Sequence, residues 1–329
     1  MSFQDFYSGA IMLGMLRGIL FAVAACFVWG FIFVIPNWLL SFTPVEVVLG
    51  RYITYGIFSI ILLLRKGWKI PLQFPPKAWL TALLFALCSN IFYYFGVVWG
   101  LRYASAPLTV LIVGLAPIVI ALYGNWHVRE ISFKHLILPC AWIASGVILV
   151  NVQQFEGALT TGEFKEYVVG LFGIFVALAG WSVYVVHNAR FLKKNSQLPV
   201  TEWASVIGTA TLFLSLTIAA FFFFIAKREV EIAHFDHFSK SLLGFILGVS
   251  TLGVASSWGG CYLWNRASTF LPVSLLGPMM ILETVFGLLF VYLAEFHFPS
   301  WVETIGILML ISGMLYALHV FKTRKFTHS

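Results

Sequence analysis

One acidic residue, Glu283, lies in the middle of an apolar run, Met279-Met280-Ile281-Leu282-Glu283-Thr284-Val285-Phe286. If this run crosses a bilayer, the carboxylate costs on the order of 3 kcal/mol to insert at the helix centre. Such a group must therefore face a water-filled space, hold a proton or pair with a neighbouring helix. Three uses fit: a counter-charge for a cationic substrate, a proton-coupling group, or a buried carboxyl satisfied by another helix. We expect Glu283 to bind substrate or protons.

Aromatic side chains near the middle of other apolar runs are the second candidate feature. With tyrosines and a fourth tryptophan they would surround a cation, each ring contact contributing about 0.5–2 kcal/mol. The members of this predicted aromatic box are Trp29, Tyr93, Tyr94, Trp142, Trp181, Tyr184 and Trp258. The alternative is that they are large core residues that fill gaps between helices. Asn90 shares a helical face with Tyr93, Tyr94 and Val97, and its amide either contacts substrate or bonds a neighbouring helix.

Further polar residues lie towards the ends of the runs. His187 follows Tyr184 by three positions, so both share a helical face, and His187 is a candidate gate residue or binds a backbone carbonyl. Arg51 follows Glu46 on one predicted helix, which favours a structural or outer-gate ion pair. The other interpretation of Arg51, a clamp for a substrate carboxylate, would point to amino-acid substrates. Pro117 removes a helical hydrogen bond at mid-membrane and is the candidate hinge.

The elements that must position these residues are membrane-spanning helices. The chain is 60% hydrophobic and 10% charged, which leaves too few charges to coat a soluble globule of 329 residues. Ten apolar segments are long enough to cross a hydrocarbon core of about 30 Å. They are residues 16–40, 45–64, 78–101, 105–126, 135–151, 168–190, 202–226, 241–265, 270–294 and 300–321. Because the segments lack the period-two alternation of barrel strands, the predicted fold class is an all-α integral membrane protein.

The second five segments repeat landmarks of the first five. Trp29 is answered by Trp181 and Glu130 by Glu295, with matched positions about 160 residues apart. Pro117 is matched in position by Glu283. Since five spans is an odd number, the second half enters the membrane in the opposite orientation, and this 5+5 inverted-topology repeat is typical of transporters. The predicted domains are 1–151 and 168–321, each a five-helix repeat, followed by a basic tail, 322–329.

Basic residues in the loops predict the orientation. With a cytoplasmic N-terminus, the inner side collects fourteen of the 20 Lys and Arg, and the outer side five. Both termini are therefore predicted to be cytoplasmic, and the net charge of +7 is a topology signal rather than a nucleic-acid footprint. The four cysteines show no metal-ligand spacing, so we expect apolar packing roles for them, no metal and no cofactor.

The order and spacing of several short motifs resemble the drug/metabolite transporter superfamily, in particular its EamA-type ten-helix branch. The residues that carry the resemblance are Trp29-Gly30, Pro44 with Arg51, Tyr103-Ala104-Ser105-Ala106, Pro117, Glu130, Gly146-Val147-Ile148-Leu149 and Gly313-Met314-Leu315. The resemblance covers about 16 to 321. It implies a multi-pass protein of a bacterial inner membrane that moves small organic metabolites, most often outward. Trp181 departs from the pattern, since Ser182 rather than glycine follows it.

The residues and the resemblance together predict a secondary transporter that works by alternating access, because the chain contains no GxxxxGK[ST] nucleotide-binding loop. We expect an exporter of a cationic or aromatic amine or amino acid, with proton coupling through Glu283. An importer or exchanger of a nucleoside-like or S-adenosylmethionine-like solute is the alternative. A channel or a lipid-modifying enzyme is disfavoured, since there is neither a continuous polar stripe nor a catalytic cluster. The expected partners are a small-molecule substrate, the lipid bilayer and protons, and the sequence leaves the oligomeric state open.

Overall fold

The structure is a computed structural model that describes most of the chain as a helical bundle. The described residues are 3–39, 41–42, 44–104, 109, 112–155, 164–224, 240–296 and 298–325. The predicted basic tail, 322–329, lies partly outside these ranges. Ser105 and Ala106 lie outside them. All regular elements in the described ranges are helical.

Helices follow one another with short connections. In chain order they are α1 (Phe3–Gly30), α2 (Pro44–Lys66), α3 (from Pro76 to Ala104), α4 (Ala116–Val128), α5 (Phe133–Phe155), α6 (Phe164–Lys194), α7 (Val200–Phe224), α8 (from Lys240 to Phe270), α9 (Val273–Glu295) and α10 (Trp301–Lys325). Short 3-10 segments, Phe31–Phe33 and Ile35–Leu39, continue α1, and a one-turn helix, Ile70–Gln73, precedes α3.

Two of these helices contain π-helical stretches that widen the helix locally. In α3 the stretches are Leu87–Phe92 and Gly100–Ala104, which flank the α-helical piece Tyr93–Trp99. In α8 the stretch is Thr251–Gly259, between Lys240–Ser250 and Gly260–Phe270. A π-helical turn bonds to the fifth residue on, so it shifts the register of side chains and leaves carbonyl groups open to other partners.

Eight helices in the described ranges, α1–α3 and α6–α10, are long and apolar enough to cross a membrane. The apolar part of α5 is shorter, at Phe133–Leu149, and α4 has 13 described residues. Large apolar side chains project from the outside of the bundle, including Phe213 (63% exposed) and Leu308 (60% exposed). An apolar exterior of this kind requires lipid as its solvent, which confirms an integral, multi-pass membrane protein.

Three contacts bring the connections after even-numbered helices together at one end of the bundle. Lys66 pairs with Glu202 of α7, and Lys193 donates to the backbone carbonyl of Leu271. Both carboxylate oxygens of Glu130 accept from backbone N–H groups at the start of α9, each at 2.8 Å. This end of the bundle, with its α2–α3, α4–α5, α6–α7 and α8–α9 connections, is called the basic end below. It is the end predicted to be cytoplasmic.

Helix packing follows a regular scheme. Helix α2 packs on α7, α5 on α10 and α4 on α9, while α1 packs on α8 and α9, and α6 packs on α3 and α4. If each helix in this list is replaced by the helix five places away, so that α1 and α6, α2 and α7 and so on change places, the same packing pairs result. The bundle therefore has the packing that a duplicated five-helix unit would produce.

The crossing of α4 and α9 bears on two expectations about Pro117. Pro117 stands in the first turn of α4, after a turn at Leu115 that separates it from the helical residues 112–114. Its role as a hinge stays a prediction. In addition, α9 has its own proline, Pro278, and the carbonyl of Pro117 abuts Gly277 beside it. Pro278, five residues before Glu283, is thus a better positional match for Pro117 than Glu283 is.

Replacing Gly277 by alanine tests this crossing. A Cβ at Gly277 would lie 2.1 Å from the carbonyl oxygen of Pro117, and backbone atoms cannot rotate away. We expect a loss of about 1–3 kcal/mol, seen as a lower midpoint of thermal unfolding in detergent. Gly244→Ala is the matched control, because a Cβ there meets nothing within 4 Å. Equal midpoints for the two variants would show that the helices do not cross here.

Candidate substrate site

Glu283 lies on the side of α9 that packs against α1. Cys26 donates to the carbonyl of Met279, one turn before Glu283. One turn after it, Phe286 contacts Phe27 with ring centroids 5.4 Å apart. Because residues three and four apart share a helical face, Glu283 belongs to this interior stripe.

The Glu283 side chain is partly exposed although it lies on an interior stripe. Within the ranges described above, no hydrogen bond and no ion pair shorter than 4.0 Å ends on its carboxylate. Its electrostatic neighbours are Arg51 of α2, Tyr93 of α3 and Cys26 of α1. An interior group that is accessible and has no direct partner is available to bind a ligand.

Arg51 of α2 is an electrostatic neighbour of Glu283 with the opposite charge. Its Nε donates to the hydroxyl of Ser257 on α8 at 2.8 Å, and its guanidinium lies 5.4 Å from the ring centre of Tyr52. Its charge acts on Glu283, Tyr93 and Tyr94 without a direct contact to Glu283. The predicted pair of Arg51 with Glu46 is not among the ion pairs formed by the described residues, and Glu46 is buried.

Four aromatic side chains from three helices form a cluster next to these charges. Trp181 is its centre, with ring centroids 5.9 Å from Trp29, 5.3 Å from Tyr93 and 5.5 Å from Tyr184. Trp29 and Tyr184 are buried, whereas Trp181 and Tyr93 are partly exposed. The structure therefore brings together four of the seven predicted box residues, with two rings accessible from the interior.

A fifth ring, missed by the sequence analysis, completes the cluster. Trp264 of α8 is fully buried and lies 5.3 Å from Trp29 between ring centroids. In the sequence Trp264 lies close to the predicted end of its apolar segment, and a tryptophan at that position is typically an interfacial anchor. Only the packing of α1 against α8 reveals its interior position.

Trp29 is held by a hydrogen bond that depends on the π-helical stretch of α8. Its Nε1 donates to the backbone carbonyl of Ser256 at 2.9 Å. The ring also requires glycine at position 260, since a Cβ there would lie 2.1 Å from the same nitrogen. The orientation of the first tryptophan is thus set by backbone geometry on another helix.

Asn90 bonds a neighbouring helix, as its structural interpretation predicted. Its Nδ2 donates to Thr211 Oγ1 of α7 at 2.9 Å, and its backbone carbonyl accepts from Tyr52 at 3.5 Å. Both bonds arise within the π-helical stretch Leu87–Phe92. Asn90 therefore stabilises the part of α3 that carries Tyr93. The Asn90 side chain is partly exposed.

Two predicted box residues, Trp142 and Trp258, lie apart from the aromatic cluster. Trp142 is 46% exposed on the outside of the bundle, where it donates to Ser312 of α10. Its mid-segment position did not distinguish an inner from an outer helix face. Trp258 donates to Ser205 and stacks on Tyr262, so it faces α7.

His187 lies towards the basic end and not beside the cluster. Its Nε2 is 2.9 Å from the hydroxyl of Tyr123 on α4, and its ring contacts that of His127. These contacts join α6 to α4 between the aromatic cluster and the α4–α5 connection. A gate role for His187 stays a prediction, and its contacts place it where α4 and α6 would have to separate.

The fold and the interior charges define a multi-pass helical membrane protein with a polar, aromatic site between its helices. Residues 16–152 match the EamA-like transporter family. Over 322 residues the chain is 27% identical to the inner membrane protein YtfF of Escherichia coli (strain K12), covering 96% of this chain and 99% of that protein. The first half of the chain is therefore similar to the EamA-like transporter family, and the similarity to YtfF extends over nearly the whole chain.

Two further proteins are similar to this chain. The uncharacterized transporter YyaM of Bacillus subtilis (strain 168) is 30% identical over 115 residues, which is 35% of this chain and 37% of that protein. A solved crystal structure superposes with a TM-score of 0.71 at 20% identity, covering 93% of this chain and 98% of its own. The superposition shows that the fold is shared over nearly the whole length.

Replacing Gly260 by alanine tests how the cluster is held. The new Cβ forces the indole of Trp29 away from the Ser256 carbonyl, and the packed rings of Trp181 and Trp264 leave it little room. We expect a loss of about 1–3 kcal/mol in unfolding free energy, measured by denaturant titration in mixed micelles. In Gly259→Ala, the control, the Cβ meets only an ordinary contact at 3.4 Å, so stability should be retained. A fully stable Gly260→Ala protein would contradict the assigned position of Trp29.

Proposed function

We propose that the chain is a secondary transporter, working as an exporter, for small organic solutes that carry an ammonium group and an apolar or aromatic side chain. The observation that carries the proposal is the partly exposed, unpartnered carboxylate of Glu283 on an interior helix face. Desolvated ammonium groups bind best to a carboxylate together with aromatic faces, and Tyr93 and Trp181 supply accessible faces nearby.

Arg51 narrows the proposed substrate to a zwitterion. A guanidinium and a carboxylate that are electrostatic neighbours without a direct ion pair match a solute with an ammonium and a carboxylate. Arginine is suited to this task because its planar fork binds a carboxylate through two parallel hydrogen bonds. Its Nε donates to Ser257, which leaves the N–H groups of the two Nη atoms for a carboxylate. An amino acid with an aromatic or other apolar side chain fits this arrangement best.

Alternating access is the proposed mechanism. The packing scheme that is unchanged on exchanging helices five apart supports ten spans built as two five-helix repeats of opposite orientation. Glu130 accepts hydrogen bonds from the start of α9, and Lys193 donates one to the α8–α9 connection. In the proposed mechanism these bonds keep the basic end closed. Opening of this end would break these bonds while equivalent contacts form at the other end.

A buried polar network also closes the space between α6, α7 and α8. Asn188 Nδ2 donates to Asn265 Oδ1 at 2.7 Å, and Trp203 Nε1 donates to Asn188 Oδ1 at 2.9 Å. All three side chains are fully buried. Because buried amides are costly when they lose their partners, this network favours the closed arrangement until a ligand provides compensating energy.

Proton coupling through Glu283 follows if protons and substrate compete for one carboxylate. The proton would be released when substrate binds and taken up again when substrate leaves. Such competition couples the two flows, because each ligand then biases the same pair of conformations. In proteoliposomes, Glu283→Gln should abolish uphill transport driven by a pH gradient.

Paired variants test the substrate class. Counterflow of a labelled amino acid should fall at least about tenfold in both Glu283→Gln and Arg51→Gln, since each loses one charged contact. For the decarboxylated amine, only Glu283→Gln should reduce binding. Trp142→Phe, on the outside of the bundle, is the control and should transport normally. Unchanged transport in Glu283→Gln would contradict the proposed function, whereas a defect confined to Glu283→Gln would limit it to cations.

Reporter fusions test the proposed orientation. Green fluorescent protein fused after Ser329 should fluoresce in bacterial cells, and alkaline phosphatase at the same position should be inactive, because the C-terminus is proposed to be cytoplasmic. The same reporters placed between α9 and α10 should give the opposite results. An active phosphatase at the C-terminus would overturn the proposed orientation.

A further inference from the structure

A polar cavity lies at the basic end, away from Glu283. It has a volume of about 410 Å³ and is enclosed by the end of α6, the α6–α7 connection and the last turns of α8. Its lining residues are Leu192, Lys193, Ser196, Gln197, Leu198, Pro199, Val200, Arg266 and Thr269. Two of these side chains are cationic and none is acidic, so the cavity has a positive potential.

Arg266 is the most informative residue of this cavity. Its guanidinium lies over the rings of Phe21 and Phe270, at 5.3 Å and 5.6 Å from their centres. Its Nε is buried and has no hydrogen-bond partner among the described residues. A buried donor of a charged group that lacks an acceptor is costly, and two apolar rings cannot replace a hydrogen bond. Arg266 also lines the cavity, where an anion would compensate the charge of its guanidinium.

Lys193 adds a second positive charge from α6. It is positioned by donating to the backbone carbonyl of Leu271, between α8 and α9. Arg190 and Lys194 on the same helix add further positive charge at this end. The lining of the cavity itself contains no carboxylate, and Glu202, the nearest acidic residue along the connection, is paired with Lys66.

We propose that this cavity binds a phosphate group. A guanidinium fork with a nearby ammonium is a recurring phosphate-binding combination, and basic pockets between membrane helices accept anionic lipid headgroups. The phosphate comes either from a phospholipid headgroup or from a soluble phosphate compound. Phe21 and Phe270, beneath the guanidinium, give the site an apolar flank at the edge of the bundle. The proposal is independent of the substrate site, because it uses none of its residues.

Binding to the purified full-length protein in neutral detergent tests the proposal. The thermal unfolding midpoint is measured against increasing dioleoyl phosphatidylglycerol, inorganic phosphate or diacylglycerol, which lacks phosphate. We expect saturable stabilisation by at least one phosphate-containing probe and none by diacylglycerol. Arg266→Gln should weaken the apparent affinity about tenfold, whereas Arg65→Gln, an exposed arginine at the same end but outside the cavity, should match the wild type.

The pattern of responses identifies the source of the phosphate. Stabilisation by phosphatidylglycerol alone supports a lipid site, and stabilisation by inorganic phosphate supports a soluble ligand. If Arg266→Gln does not fold, Lys193→Gln provides the same comparison with Arg65→Gln. Equal affinities in the cavity variant and the Arg65→Gln control, or no stabilisation of the wild type by either phosphate probe, would overturn the proposal.

Discussion

An accessible carboxylate inside an apolar bundle is the constraint on which the rest of the structure depends. A charge at this depth is tolerated only if other helices shield it from lipid and supply polar or aromatic neighbours. The stripe on α9 that packs against α1 provides the shielding, and Arg51 of α2 provides a distant opposite charge. Since the two charges do not form a direct ion pair, a ligand with both charges gains from binding between them.

Local backbone geometry then positions the walls of the site. The π-helical stretch in α8 presents the Ser256 carbonyl to Trp29, and the stretch in α3 presents Asn90 to α7 and to Tyr52. π-helical turns are energetically unfavourable on their own and occur often at functional sites. Here the stretches Leu87–Phe92 and Thr251–Gly259 are each compensated by hydrogen bonds with a neighbouring helix. The same contacts fix the distance between α1 and α8 and so the width of the interior space.

The sequence predicted the helical membrane class and the spans α1–α3 and α6–α10, because long apolar runs leave little choice in lipid. Its motifs also predicted the match to the EamA-like transporter family. Glu283, Trp29 and Trp181 were singled out because polar and aromatic residues are conspicuous in such runs, whereas Arg51 was expected to pair with Glu46. Trp142 and Trp264 show where this reasoning fails. Nearly all-apolar helices lack a strong periodicity, so the sequence does not reveal which face points inward. The π-helical stretches have no sequence signature and were not predicted.

The central claim is that Glu283 faces a water-filled interior rather than lipid or a sealed core. The direct measurement is labelling of Glu283→Cys, in a chain whose four native cysteines are replaced, by a charged, membrane-impermeant thiol reagent. We predict that Glu283→Cys is modified, while Leu308→Cys, exposed on the lipid side, reacts only with an uncharged lipophilic maleimide. Failure of the charged reagent to modify Glu283→Cys in folded protein, while the lipophilic one succeeds, would contradict the account.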